Sequence, residues 1–253
     1  MDSQEQSTSV IEIVHSKSGA KAEVYAYGAT VTSFVTSSGR ELLFLSKTAK
    51  LDGSKAIRGG IPLVFPQFGQ PDTRIPQHGF ARCNLWTVEK AYDDDESAGL
   101  YLTLNLNHVT NARGGEWADG GSLDCILTME IKVQASSLTT TLKIVNSGET
   151  AFDFQTLFHT YYLVNDHEAL NATNCNVLGL EGYLCEDKIS GESYVMGANP
   201  IIIDSNVDHV YTPQEGNDHV RVKIKTGGET LVNLEAFGFV NGDKVPTSCV
   251  VWK

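Results

Sequence analysis

The sequence predicts an all-β protein of packed antiparallel sheets, on three observations. Apolar and polar residues alternate with period two along much of the chain. Turn-forming residues punctuate those runs at short intervals, and no apolar pattern of helical period lasts for three turns. Period two is the signature of a strand with one dry face, because successive side chains of a strand point to opposite sides.

Taken in order, Ser9–Val14, Ala22–Tyr27, Thr30–Thr36 and Glu41–Leu45 read as short strands, separated by Gly19, Gly28 and Ser38-Gly39. Leu100, Leu102, Leu104 and Leu106 alternate with Tyr101, Thr103, Asn105 and Asn107. Leu127, Met129, Ile131 and Val133 repeat the pattern, and Leu138, Leu142 and Ile144 continue it up to the turn Asn146-Ser147-Gly148. Ala151–Phe158 reads as a further strand. Val220, Val222 and Ile224 alternate with Arg221, Lys223 and Lys225 before Gly227-Gly228. No linker, repeat or low-complexity tract interrupts the chain, so residues 1–253 are expected to form one domain of sheets packed face to face.

Three stretches depart from the alternation. Leu51–Arg82 is rich in Gly, Pro and aromatic residues, too long and apolar for an idle connection. His108–Gly121, with two Gly pairs around Trp117, reads as a long surface loop. Asp93-Asp94-Asp95-Glu96 reads as a solvated turn between strands.

Composition excludes several function classes. Nineteen Lys and Arg against 31 Asp and Glu give a net charge of -12, which repels nucleic acid and anionic membrane. An anionic substrate then requires arginines that converge locally. The five cysteines lack metal-type spacing and read as reduced thiols, a Cys175–Cys185 bridge being the minority alternative. The polar, acidic opening is unlike a signal peptide and no apolar run is long enough to span a bilayer, so the expected location is cytoplasmic. There is no phosphate-binding loop, dinucleotide fingerprint or zinc spacing, and no cofactor or metal is expected.

The stretch Leu51 to Gly69, centred on Ile57-Arg58-Gly59-Gly60-Ile61-Pro62-Leu63-Val64-Phe65-Pro66-Gln67-Phe68-Gly69, resembles the signature of the glucose-6-phosphate 1-epimerases, the hexose-6-phosphate mutarotases of the aldose 1-epimerase superfamily. Pro76-Gln77-His78-Gly79-Phe80-Ala81-Arg82 and Phe158-His159-Thr160-Tyr161-Tyr162 follow in the order and spacing of that family, with a weaker block at Val207-Asp208-His209-Val210-Tyr211. The similarity runs from about Tyr27 to Trp252. It implies a galactose-mutarotase-like antiparallel β-sandwich (a supersandwich). It also implies an isomerase that interconverts the α and β anomers of glucose 6-phosphate or a related hexose 6-phosphate.

Mutarotation suits the residues in these blocks. One group protonates the ring oxygen while another removes the proton of the anomeric hydroxyl, and the roles exchange on closure. The resemblance places the catalytic histidine at His159; the plain alternative is a histidine hydrogen-bonded within a core strand. Arg58 and Arg82 are the candidate phosphate ligands, since a guanidinium fork matches phosphate oxygens at two points; each can instead be an ordinary surface arginine. Gln77 and Asp208 match substrate-contacting positions, with a turn amide and a solvated loop carboxylate as the alternatives. His78 is expected to support loop structure or a neighbouring contact. The glycines and prolines around Arg58 can hold it against a ligand or simply carry the chain between sheets.

One expectation concerns the end of the sequence. The family continues past a Val-Val-Trp motif into further strands, one carrying a catalytic glutamate, whereas here Val250-Val251-Trp252 is followed by Lys253. The sandwich is therefore expected to be incomplete at the C-terminus, with no residue to match that glutamate; Glu235 is assigned no catalytic role. A non-catalytic sugar-phosphate-binding protein and an aldose 1-epimerase for unphosphorylated sugars are the rival readings. The expected assembly is a monomer, or a dimer if a second copy replaces the missing strands.

Overall fold

The structure is a computed structural model, and it describes residues 9–109, 124–149, 151–164, 175–215 and 219–253. The loop expected around Trp117 lies outside the described residues. The chain divides into two compact units, residues 1–163 and 164–253, within the span expected to form a single domain.

In the first unit, Val10–Val14 (β1), Lys21–Tyr25 (β2) and Thr30–Val35 (β3) form an antiparallel three-stranded sheet. Leu63–Val64 (β4) stands apart from it. Thr87–Asp93 (β5), Ala98–Asn105 (β6), Cys125–Val133 (β7) and Leu138–Asn146 (β8) form a second sheet, in sequence order and antiparallel throughout. Leu157–Phe158 (β9) closes the unit by pairing with β4.

The leucine alternation explains this packing. Register pairs Leu100 with Ile131, Leu102 with Met129 and Leu104 with Leu127, so two alternating runs present a single dry face. That face shares one buried cluster with Ile13, Ala22, Val24, Val31 and Phe34 of the three-stranded sheet. Each of these larger side chains contributes about 1.5–3 kcal/mol relative to exposure. Strand β5 is an edge strand, exposed at almost every position, and its Glu89, Lys90 and Asp93 discourage pairing with another chain. The acidic turn after it is solvated as expected: Asp94 accepts hydrogen bonds from the Glu96 and Ser97 amides at 2.9 Å.

Two expected strands are largely absent as strands. Glu41–Leu45 makes only isolated bridges, because the Glu41 carboxylate accepts the amides of Phe34, Leu42 and Leu43 at 2.8–3.0 Å. A side chain thus takes backbone donors that a ladder would have used. Of Ala151–Phe158 only the last two residues are strand.

The second unit contains Asn176–Leu178 (β10), Leu184–Asp187 (β11), Ser193–Val195 (β12), Ile201–Ile202 (β13), Asp208–Thr212 (β14), Val220–Thr226 (β15), Glu229–Ala236 (β16), Gly238–Val240 (β17), Asp243–Val245 (β18) and Cys249–Trp252 (β19). They form sheets in the orders β13-β10-β15-β16 and β12-β11-β14-β19, with β17 and β18 a separate hairpin. Val220, Val222 and Ile224 are buried as the alternation predicts. All five cysteines are free thiols. Among the described residues no helix is long and apolar enough to cross a membrane.

Candidate active site

The site in the first unit is built around the buried run Ile61–Gln67. On one side of it the Phe158–Tyr161 segment runs antiparallel: Leu63 pairs with Phe158, the His159 amide donates to the Pro62 carbonyl at 3.0 Å, and the Tyr161 amide donates to the Gly60 carbonyl at 2.8 Å. On the other side, Phe65 accepts the Phe80 amide at 3.0 Å and bridges in parallel to Gly79. Two motifs far apart in sequence are thereby laid on the two flanks of one short strand.

Two glycines make this approach possible. A Cβ at Gly60 would lie 2.0 Å from the Val31 carbonyl oxygen, and one at Gly79 would lie 2.0 Å from the Phe65 carbonyl oxygen. Both also hold positive φ, +65° and +75°. The backbone freedom expected around Arg58 is therefore used to bring segments together.

The result is a cluster of four side chains: His78, Arg82, His159 and Tyr161. The His78 and His159 ring centroids are 5.7 Å apart, and His159 stacks on Tyr161 at 4.8 Å with planes 21° apart. Arg82 sits on a single 3-10 turn, Ala81–Cys83, and its Nη2 donates to the Gln77 carbonyl at 2.8 Å. Its Nε is buried and has no hydrogen-bond partner. Leaving a buried donor unmade costs about 1–3 kcal/mol, more for a charged group. Nε is thus a vacant, charged donor.

Electrostatics follow from this arrangement. Burial, then the Arg82 charge, then His159 push the His78 imidazole down to about 4. His159 is also lowered, chiefly by burial, with Arg82 contributing and a backbone hydrogen bond opposing. Both rings are therefore neutral at neutral pH. The Gly69 amide donates to His78 Nδ1 at 3.1 Å, which leaves the proton of the neutral ring on Nε2.

The sequence candidates separate accordingly. His159 and Arg82 come together in the cluster. Gln77 joins it through its backbone carbonyl, and its side chain is exposed. Arg58 is exposed two residues before Gly60, with its carbonyl accepting the Ser46 amide. Asp208 belongs to the second unit, where its carbonyl accepts the Lys188 amide at 2.8 Å. His78 supports the loop as expected, its Nδ1 accepting the Gly69 amide, while Tyr161 was given no role from the sequence. The available signals were the spacing of Tyr161 two residues after His159, which puts both on one side of an extended segment, and the compact His78-Gly79 pair. His78 itself holds a left-handed φ of 63°, a conformation uncommon outside glycine. Among the described residues no group of three or more His, Cys, Asp or Glu could hold a metal ion.

The antiparallel all-β architecture agrees with the comparisons to known proteins. The sequence profile of the aldose 1-epimerase family matches residues 9–238, and the chain belongs to that family. A Cenchrus ciliaris protein provisionally named glucose-6-phosphate 1-epimerase is 32% identical over 199 residues, 75% of this chain and 56% of that protein. The chain spans about half the length of the curated relatives it matches. Among solved structures, a provisionally named mutarotase of Salmonella typhimurium matches with a TM-score of 0.68 at 24% identity, covering 85% of this chain and 66% of the other. A Synechocystis protein matches with a TM-score of 0.70 at 20% identity, covering 90% and 84%. These show the mutarotase-like antiparallel fold that the sequence predicts.

Proposed function

We propose that this site interconverts the α and β anomers of a hexose 6-phosphate, glucose 6-phosphate being the first candidate. The observation that carries the proposal is Arg82: a half-buried guanidinium, charged and set beside two neutral histidines. A phosphate group on the accessible side of the guanidinium would offset its charge. The names of the relatives support the same substrate class.

Ring opening takes the proton from the anomeric hydroxyl, breaks the bond between C1 and the ring oxygen, and delivers a proton to that oxygen. The aldehyde then turns about C1–C2 and closes on its other face by the reverse steps. His159 is the proton carrier. The Arg82 charge helps to hold it neutral; a bound anion offsets that charge and lets the imidazole take up the proton it gives to the ring oxygen. His78, with its proton on Nε2, is a fixed hydrogen-bond donor to a sugar oxygen. Tyr161 braces the His159 ring by stacking. Water carries the second proton. Arg58, Gln77 and Asp208 are retained as proposed substrate contacts, Arg58 and Gln77 from exposed positions.

Titration calorimetry with glucose 6-phosphate and with glucose tests the substrate class. The proposal expects glucose 6-phosphate to bind at least about tenfold more tightly, the value of one charge-assisted hydrogen bond. Equal affinities would assign the site to unphosphorylated sugars instead.

A further inference from the structure

We propose that Gln67 is a positioning residue for His78, fixing which ring nitrogen carries the proton. Its side chain is 5% exposed and fully engaged. Nε2 donates to the Asp72 carbonyl at 3.0 Å and to the Pro76 carbonyl at 3.2 Å, while Oε1 accepts the Asp72 amide at 2.9 Å. A carboxamide has two N–H donors and one oxygen, and here all are used. The side chain thus fills the 67–78 loop from within and ties residue 67 to residues 72 and 76.

At the neck of that loop, Gly69 and His78 exchange two hydrogen bonds. The His78 amide donates to the Gly69 carbonyl at 2.6 Å, and the Gly69 amide donates to His78 Nδ1 at 3.1 Å. The Pro76 carbonyl held by Gln67 also accepts the Gly79 amide at 2.8 Å, so the same amide group braces the residue after His78. Phe68 is held from outside the loop, its amide donating to Gln155 Oε1 at 3.0 Å and its ring lying 5.3 Å from the His78 ring.

A backbone N–H can only donate, so its partner nitrogen must be bare. Protonating Nδ1 would set two donors against each other. As long as Gln67 keeps Gly69 in place, His78 presents Nε2–H and does not take the opposite tautomer. Gln67 lies within an apolar, fully buried run, where an amide without partners would be unfavourable. Its presence there is explained by the loop it closes. The value of a fixed donor to the sugar rests on the function proposed above; the placement of the proton does not.

The test is nitrogen-15 NMR of the histidine ring in the full chain without ligand, for the wild type, Gln67→Met and Gln67→Glu. Gln67→Met removes all three hydrogen bonds. Gln67→Glu keeps the volume and the acceptor for the Asp72 amide but removes the two donors, and serves if the first variant does not fold. The wild type is expected to favour the Nε2–H tautomer of His78 by about tenfold or more beyond the ratio of a free histidine side chain, the bias of one amide hydrogen bond, and a folded variant to fall back to that free ratio. His159 should keep its signals, since no Gln67 bond reaches its segment. A His78 tautomer ratio unchanged in a folded variant would overturn the proposal, even if that variant melts at a lower temperature. Because no sugar is present, a negative result here is distinct from failure of the proposed function.

Discussion

Replacing Arg82 with Met tests the electrostatic design of the site. Methionine keeps an unbranched apolar stem, removes the charge and removes the buried Nε that lacks a partner. The Gln77 carbonyl that loses Nη2 belongs to an exposed residue, so water can take its place and the fold should persist. Two effects follow. Burial is the largest of the three causes that bring His78 from 6.5 to about 4, and Arg82 is the second. Removing the Arg82 charge should therefore raise His78 above about 4 without restoring its ordinary value, with His159 moving in the same direction. Binding of glucose 6-phosphate should weaken by about 1.5–3 kcal/mol, or roughly 10- to 150-fold. NMR titration of the histidine carbons and calorimetry on the same sample read both. A His78 titration that does not move, with an affinity within about twofold of wild type, would refute the placement of Arg82 as the charge at the centre of the site.

The remaining predictions concern pH, packing and linkage. The folded His78 value lies below that of the unfolded chain, so between 6.5 and about 4 the unfolded state holds more protons. The corresponding stability is fully present above about 6.5 and is lost as the pH falls through this window. Unscreened it would be about 3 kcal/mol, reduced to on the order of 1 kcal/mol by the half-exposure of the ring; denaturation curves of wild type and His78→Gln should diverge by that much between pH 7 and 4. Gly79→Ala forces a methyl to within 2.0 Å of the Phe65 carbonyl oxygen at a φ of +75°. It should destabilise the protein by about 3 kcal/mol or more in urea, whereas a loss under about 1 kcal/mol would contradict the close approach. Binding of sulfate, an anion that does not itself titrate near pH 6, should take up protons, because it offsets the charge that lowers both histidines. Calorimetry in buffers of different ionisation enthalpy would show that uptake, and proton release would contradict it.

How far the sequence revealed the molecule depended on what each segment used for pairing. The strands β6, β7 and β15 were plain because one face is dry and the alternation is a direct consequence. Glu41–Leu45 has similar local composition, but the Glu41 carboxylate takes the amides at its own turn and at Phe34, a tertiary fact that no local pattern encodes. Strands β4 and β9 are two residues each and carry no periodicity, although they join the two histidine motifs. Motif resemblance and side-chain chemistry singled out His159 and Arg82, and the fold brings the two into one cluster. The loop-supporting place of His78 was anticipated, though its partner Gly69 was not, and Tyr161 was given no role because stacking on His159 requires knowing that the segment is extended. Arg58 and Arg82 looked equivalent as guanidinium forks. Burial separates them, since only Arg82 contributes its charge to the two rings.

The central claim is that His159, enabled by an anion on Arg82, carries the proton in anomer exchange. Two-dimensional exchange NMR of glucose 6-phosphate at equilibrium measures the interconversion rate of its α and β signals directly, with the protein-free solution as baseline. The account predicts that the protein raises this rate and that His159→Ala lowers the protein-dependent part by about 10²–10⁴-fold. It also predicts that the variant keeps its affinity for the phosphate. A protein-dependent rate that survives His159→Ala, or that is the same for glucose as for glucose 6-phosphate, would contradict the account.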